Sequence, residues 1–311
     1  MKTKRIKVFA PATVSNVGPG FDLMGFAING IGDELEVSIS SADGVRIKKI
    51  FGDYNRLPYN PSKNTATVSI LSLLKSYQIK VGLDIIIWKK MGIGSGLGSS
   101  AASAVAGVFA VNKLLGLNLS KQELLKHALA GELIASKSIH ADNAAPCLFG
   151  GFVLIRSYNP IDIVKIDYPQ NLYCSIIYPD IEIKTSEARK ILDKKVERKI
   201  AIAQAGNASG LIAGLIKKDF ELISRSMEDF IAEPKRAQLI PCYNEIKNAA
   251  LINGALNCNI SGSGPSMFSF STSEKEAHKI VNAMKKAALK NGFKSKIFVS
   301  QINDDGTSVI K

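Results

Sequence analysis

The apolar positions of this chain group into short strand-like runs and longer helix-like ones. Strands are predicted near Ile6 to Val14, Glu34 to Ser40, Val45 to Ile50, Asp84 to Trp88 and Phe152 to Ser157, and helices near Ser62 to Tyr77, Ser99 to Leu115 and Lys121 to Ser136. The helix from Lys121 has a defined start, because Ser120 can cap it while Glu123 reaches back to Ser120. The second half predicts a strand Leu172 to Tyr178, helices to about Asn253, strands Leu256 to Ile260 and Ser266 to Ser271, a helix capped by Ser273 with Glu276, and a last strand Lys296 to Ile302. That order, βα(α)ββαβ, is ferredoxin-like. No repeat or low-complexity linker separates the halves, so the division expected near residue 157 (1–157 and 158–311) is drawn from topology. A cleft between the halves would be the candidate site.

The run GIGSGLGSSAASAVAG, Gly92 to Gly107, follows the strand-like LDIIIW (Leu83 to Trp88) and leads into a helix of small residues. Glycines in such a turn let backbone N–H groups approach an anion without side-chain obstruction. Ser99 and Ser100 open the helix, where unpaired first-turn N–H groups and the helix dipole favour a phosphate by about 0.3 to 1 kcal/mol per charge at an exposed site. Two familiar glycine patterns do not fit. A Walker loop needs lysine where Gly98 stands, and GxGxxG meets Leu97 when started at Gly92 and Ser99 when started at Gly94. A tight turn packing the small residues Ala101, Ala102, Ala104, Ala106, Gly107 and Ala110 against a sheet explains the alanines. It does not explain glycine at 92, 94, 96 and 98 followed by paired serines.

GLGSSAA resembles the central phosphate-loop motif of the GHMP kinases, a family of small-molecule kinases. APATVSNVGPGFDLMGFAI (Ala10 to Ile28) and NISGSGPSMFSF (Asn259 to Phe270) are similar to the family's first and third motifs, in the expected order. SIHADNAAPCLFGGF (Ser138 to Phe152), TSEAR (Thr185 to Arg189) and AEPKR (Ala232 to Arg236) are similar to the branch whose acceptor is the side-chain hydroxyl of L-homoserine, over essentially the whole chain. The resemblance implies an α+β fold, the GHMP kinase fold: an N-terminal mixed α/β domain carrying the glycine-rich phosphate loop and a C-terminal ferredoxin-like domain. One departure is Gly92, where the family usually has proline; this loosens the loop entry and removes no phosphate ligand.

The resemblance also implies ATP and Mg²⁺. Residues Gly92, Ile93, Gly94, Ser95, Gly96, Leu97, Gly98, Ser99, Ser100, Ala101 and Ala102 would hold the nucleotide, with adenine near Asn64, Lys89 and Lys90. Ser100 and Glu132 would hold the metal, since magnesium takes few protein ligands and completes its octahedron with phosphates and water. Glu132 lies near the end of its helix among Ala128, Leu129, Leu133 and Ile134, which make the local face largely apolar; an acid there is more often functional or paired. For the acceptor, Arg189 and Arg236 would grip the carboxylate bidentately, Asp22 and Asn16 would meet the ammonium, and His140, Asn143 and Thr185 would position the side chain. Asn16 and Asp22 flank GPG and could equally be turn formers. Asp142 and Asn143 join Glu132 as candidate catalytic groups; Asp142 aligns with a catalytic base of mevalonate kinases, and whether any side chain removes the proton stays open. Gly262 to Gly264 could be a plain hairpin or could offer backbone donors beside the phosphate loop.

The chain has 311 residues, about two domains' worth, and 46% hydrophobic content. It shows no uninterrupted apolar stretch of bilayer length and no signal-like opening, so a cytoplasmic protein with no membrane partner is expected. Cys147, Cys174, Cys242 and Cys258 are widely spaced with no CxxC pair, which predicts buried free thiols. The formal charge of +13 invites a nucleic-acid reading. Its basic residues are scattered through Lys2, Lys4, Arg5 and Lys7, the acid-interleaved stretch from Lys184 to Lys199, and Lys285, Lys286 and Lys290. With 7% aromatics there is no stacking platform, so no nucleic-acid partner is expected, although the field would attract ATP. Open alternatives are another GHMP small-molecule kinase such as a mevalonate type, or a non-catalytic ligand sensor, against which Ser100 and Glu132 argue. Oligomeric state is not legible, with a homodimer one option.

Overall fold

The structure, a computed structural model, describes residues 4–136 and 140–310. Lys2 of the basic N-terminal set and Ser138, where one motif begins, lie outside the described residues. In chain order the first half runs β1 (Arg5–Ser15), β2 (Met24–Ser40), β3 (Val45–Phe51), α1 (Thr65–Ser76), β4 (Gly82–Trp88), α2 (Ser99–Leu115), α3 (Lys121–Ser136), α4 (Ala141–Phe149), β5 (Phe152–Tyr158) and β6 (Ile161–Ile166). The second half runs β7 (Tyr173–Pro179), α5 (Thr185–Lys190), α6 (Arg198–Lys217), α7 (Phe220–Arg225), α8 (Glu233–Arg236), α9 (Tyr243–Ile252), β8 (Asn259–Ile260), β9 (Met267–Ser271), α10 (Glu274–Lys290), β10 (Ser295–Gln301) and β11 (Ser308–Val309).

The first sheet has the order β11-β1-β2-β4-β3, with β5 paired to β2 and β6 to β5; the second is β10-β7-β9-β8, antiparallel throughout. That second order is the ferredoxin-like arrangement expected. The division expected at residue 157 falls inside β5, and it would cut a hairpin in which Tyr158 pairs with Ile161. The C-terminal β11 also returns to the first sheet beside β1. The hairpin belongs with the first sheet because its apolar positions complete that core, with Phe152, Val153 and Ile155 unexposed, whereas β11 joins by backbone pairing alone, its Val309 being 46% exposed.

The capping box of α3 forms, with Ser120 N–H donating to Glu123 at 2.8 Å and Glu123 N–H to Ser120 Oγ at 3.3 Å; at α10 Ser273 Oγ caps by accepting from Glu276 N–H at 3.3 Å, while the Glu276 carboxylate accepts from Thr272 Oγ1 at 3.0 Å. The helix expected from Ser62 starts at Thr65, because Asn64 takes the cap and accepts from Ala66 N–H. Sequence reading missed the first half of β2, β6, β11 and the helical state of α4, whose Pro146 disguises it. All four cysteines are buried and free. Among the described residues one helix, α6, is by length and composition long and apolar enough to cross a membrane, although Gln204, Asn207 and Ser209 interrupt its apolar run. Here it docks on the core through Leu211 and Leu215, and its Gln204 side chain donates to the Pro19 carbonyl and to Asp229.

The small residues of α2 are used for close packing. A Cβ on Gly107 would lie 2.7 Å from the Ala66 carbonyl of α1, and one on Gly131 of α3 would lie 2.2 Å from Ser69 Oγ and 3.1 Å from Ala104 Cβ. Gly131 therefore lets α3 come within backbone reach of both α1 and α2. That approach brings the next residue, Glu132, to the start of α2.

Candidate active site

The glycine-rich turn between β4 and α2 is fixed from both sides. At the bulge of β1, between Pro11 and Thr13, the register shifts and Thr13 N–H turns to the Leu97 carbonyl, 3.1 Å away. On the other side Ser261 Oγ donates to the Gly96 carbonyl at 2.7 Å, and Ser266 N–H donates to the Ser95 carbonyl at 3.2 Å. Gly98 has a φ of 71°, and a Cβ there would lie 2.1 Å from Thr13 Oγ1 and 2.8 Å from Asn143 Oδ1, so no other residue fits. Gly98 is also the N-cap of α2 and supplies no side-chain cap, which leaves the first-turn amides and the positive helix end facing the cleft.

Beneath the turn lies a buried ion pair that sequence reading did not find. Asp33 on β2 pairs with Lys89, and both are buried. The Lys89 ammonium also donates to the Ser99 carbonyl and to Ser103 Oγ, both at 2.7 Å, so its three hydrogens are engaged. Asp33 accepts in addition from Lys90 N–H at 2.8 Å, Met91 N–H at 3.1 Å and Ser99 Oγ at 2.9 Å. Lys89 thus lines the cleft but points its charge into the scaffold, which corrects its expected role toward adenine. Asn64 is similarly committed: its Oδ1 caps α1 and its Nδ2 donates to the Pro58 carbonyl at 3.1 Å. Lys90 pairs with the exposed edge at Glu34.

Glu132 is 4% exposed, and its Oε2 accepts from Ser100 Oγ at 3.2 Å. Burial pushes its pKa up to about 7, against the opposing pull of the Ser100 hydrogen bond and of His140. Of its apolar neighbours, Ala128 and Leu129 are buried with it, whereas Leu133 and Ile134 are 47% and 45% exposed. The acid points inward and the leucine and isoleucine outward. Among the described residues no group of three His, Cys, Asp or Glu could hold a metal. A hydroxyl and a carboxylate at the mouth of an uncapped helix match a magnesium ion whose other ligands come from phosphates and water.

On the far wall, Asn16 and Asp22 each adopt a φ of 56°, and Asn16 Oδ1 accepts from Asp22 N–H at 2.8 Å. The turn-forming reading is realised, and the same strained loop places Asp22 in the cleft lining. Arg189 donates to both Asp22 carboxylate oxygens at 2.7 Å, and His140 Nδ1 lies 3.1 Å from Arg189 and 3.4 Å from Asp22. Burial opposes ionisation of Asp22, but the bonds from His140 and Arg189 outweigh it and hold its pKa below the ordinary carboxylate value. Arg236 is 4% exposed and donates to the Gly262 carbonyl at 2.7 Å. Its position depends on Glu233 at the start of α8, which accepts from Lys247, Asn259 and Ile260 N–H at 2.9 to 3.0 Å and from Tyr243. Among the described residues Arg236 has no carboxylate at ion-pairing distance.

Between the two walls sit Asp142 and Asn143 at the start of α4. Asn143 accepts from Thr13 Oγ1 at 2.7 Å and donates to Ser15 Oγ at 2.9 Å, leaving one N–H and one lone pair of its amide beside Gly98. Asp142 is buried, and its Oδ1 has no hydrogen-bond partner among the described residues. Burial, then the nearby Asp22 charge, raises its pKa. Thr185 Oγ1 lies 3.4 Å from Ser263 Oγ. The Gly262 and Gly264 amides, expected to face a ligand, instead donate to the Ser15 and Ser261 carbonyls at 2.9 Å. The turn's contribution is the carbonyl that holds Arg236.

These groups line one cleft of about 560 Å³, within the range usual for small-molecule sites. It brings together Asn16, Asp22, Asn64, Lys89, Ile93 to Gly96, Gly98 to Ser100, Glu132, His140, Asp142, Asn143, Thr185, Arg189, Arg236 and Gly262. Gly92, Leu97, Ala101 and Ala102 do not line it: Gly92 packs on the Tyr178 ring, and the others are buried behind the turn. The cleft also takes in Arg56 and Glu182, which pair across its mouth, and the apolar Leu57 and Pro58, none of which the sequence singled out. Thr13, Ser15 and Asp33 were missed as well.

A glycine turn feeding an uncapped helix, an acid facing that helix and a ferredoxin-like second layer define a class of small-molecule kinase. Residues 64–151 match the family model for the GHMP kinases N terminal domain, and residues 211–291 that for GHMP kinases C terminal. The chain belongs to the GHMP kinase family. Within it, the chain is 45% identical to a homoserine kinase of Chlorobium phaeobacteroides (strain BS1), covering 99% of this chain and 100% of the relative, and 44% identical to a homoserine kinase of Chlorobaculum tepidum, covering 99% and 98%. The crystal structure of a homoserine kinase from Cytophaga hutchinsonii superposes with a TM-score of 0.97 at 52% identity, covering 100% of this chain and 98% of that one.

Proposed function

We propose that this protein is a cytoplasmic, ATP-dependent homoserine kinase that converts L-homoserine to O-phospho-L-homoserine, a step of threonine biosynthesis, with Mg²⁺ and without a nucleic-acid or membrane partner. The observation that carries the reading is the pairing of Asp22 with Arg189, next to the carboxylate-free Arg236 and across the cleft from the phosphate turn. Asp22 and Arg189 satisfy one another in this structure. A zwitterion offers each a replacement, its ammonium to Asp22 and its carboxylate to Arg189 and Arg236. Its hydroxyl then extends toward Asp142, Asn143 and the turn.

The α2 amides and the glycine turn would receive the triphosphate, with adenine against Leu57 and Pro58 instead of against Asn64 or Lys89. Ser100 and Glu132 would hold Mg²⁺, which when bound neutralises charge on the β- and γ-phosphates. Asn143, fixed by Thr13 and Ser15, aligns the acceptor hydroxyl. The new bond joins that oxygen to the γ-phosphorus, the bond to the β-phosphate bridging oxygen breaks and releases ADP, and the hydroxyl proton passes to the Asp142 Oδ1.

Two results test the reading. In a coupled ADP-release assay, 4-hydroxybutyrate (no ammonium) and homoserinol (no carboxylate) should each show a kcat/KM at least about 10²-fold below that of L-homoserine, because each splits the Asp22–Arg189 pair and leaves one member unpartnered. Comparable rates with either analogue, or with mevalonate, would remove the amino-acid assignment. Asp142→Asn should lower kcat about 10²- to 10⁴-fold with little change in the KM for ATP. A kcat within tenfold of the parent would mean that the proton leaves to a phosphate oxygen or to water.

A further inference from the structure

Phe21 was not among the residues expected at the site, yet its ring centroid lies 5.5 Å from the Arg189 guanidinium carbon and 5.0 Å from that of Arg236. Two like charges are thus gathered at one aromatic ring. Gathering them is unfavourable in itself: burial works most against the protonated state of Arg236 and the charge of Arg189 adds to it, while the nearby Asp22 carboxylate offsets part of the cost. Arg236 is held by the Gly262 and Ala188 carbonyls, but Arg189 is 36% exposed and, apart from Asp22, His140 and the ring, could swing to solvent. Its Nε is buried and has no hydrogen-bond partner among the described residues, so that nitrogen is not what fixes the guanidinium. Phe21 and Asp22, consecutive in the strained loop, hold the same guanidinium, one by its ring and the other by its carboxylate.

Resting on the acceptor reading above, we propose that Phe21 is a positioning residue that keeps Arg189 and Arg236 at the spacing of one carboxylate, through attraction of both guanidiniums to its ring, and so sets specificity for a carboxylate-bearing acceptor. An aliphatic side chain of similar size fills the space but has no ring quadrupole. Phe21→Leu and Phe21→Tyr therefore separate packing from cation attraction, with melting temperatures showing that both fold.

The measurements are steady-state kinetics and titration calorimetry of L-homoserine without nucleotide. Phe21→Leu should raise the KM and the Kd for L-homoserine about tenfold while kcat and the KM for ATP stay within about threefold, and Phe21→Tyr should restore homoserine binding. Unchanged homoserine binding in Phe21→Leu would overturn the proposal. So would equal losses for both substrates together with a lowered melting temperature, which would mark the ring as structural. If the wild-type protein fails to use homoserine, the acceptor reading falls separately, and the same variants decide the role of Phe21 on whichever acceptor is used.

Discussion

Glu132→Gln should reduce magnesium-dependent turnover by about 10³-fold and leave the fold intact. Glutamine keeps the volume and can still bond the Ser100 hydroxyl, so the packing that Gly131 permits between α1, α2 and α3 is undisturbed. What is lost is a negative charge 4% exposed at the mouth of α2. Burying a carboxylate opposes folding, so the variant's melting temperature should equal or exceed that of the parent. A residue whose removal stabilises and inactivates together is held in place by function. Part of the lost rate should return at raised magnesium concentration. Turnover within tenfold of the parent at ordinary magnesium would remove Glu132 from the metal site.

The path from sequence to this site was uneven, and the reasons are local. The glycine-rich turn was legible because its glycines are needed where the chain passes within contact distance of Thr13, Asn143 and Ser261. The caps at Ser120 and Ser273 were legible because the chemistry of each lies within a few consecutive residues. The apolar surroundings of Glu132 were half legible: Ala128 and Leu129 are buried with it, but Leu133 and Ile134 face solvent. Its contact with Ser100 joins α3 to α2, a tertiary approach that no local window contains. Asn64 and Lys89 were placed near the nucleotide on resemblance, and they do line the cleft, but their polar atoms serve the scaffold. Partner identity is a tertiary property that a motif match does not carry.

Asp33 could have been found. Read with period two, β2 turns Asp33, Leu35 and Val37 to its buried face, and β4 turns Leu83, Ile85 and Ile87 there with Lys89 next in phase. The antiparallel register pairs Leu35 with Ile87 and Glu34 with Trp88, so the next pair in line is Asp33 with Lys89. Two opposite charges at inward positions of neighbouring strands are the signature of a buried ion pair. The strand reading began at Glu34 and cut that pair off.

Asp33→Ala should accordingly be the most destabilising single substitution near the site. It leaves the Lys89 ammonium in a buried position without a carboxylate and removes the acceptor of Lys90 N–H, Met91 N–H and the Ser99 hydroxyl. Breaking a buried pair by removing one partner costs about 3–5 kcal/mol, which for a chain of this size corresponds to roughly 5–8 °C in melting temperature. The double variant Asp33→Ala, Lys89→Met removes the uncompensated charge and should recover most of that loss, because replacing both members of a buried pair by apolar groups is often close to neutral. Activity should not follow stability. The double variant still lacks the bonds that fix the turn and the first residue of α2, so its KM for ATP should stay about tenfold or more above that of the parent while homoserine binding is retained. A melting temperature within about 2 °C of the parent for Asp33→Ala, or an unchanged KM for ATP in the double variant, would show that the turn holds its shape without this pair.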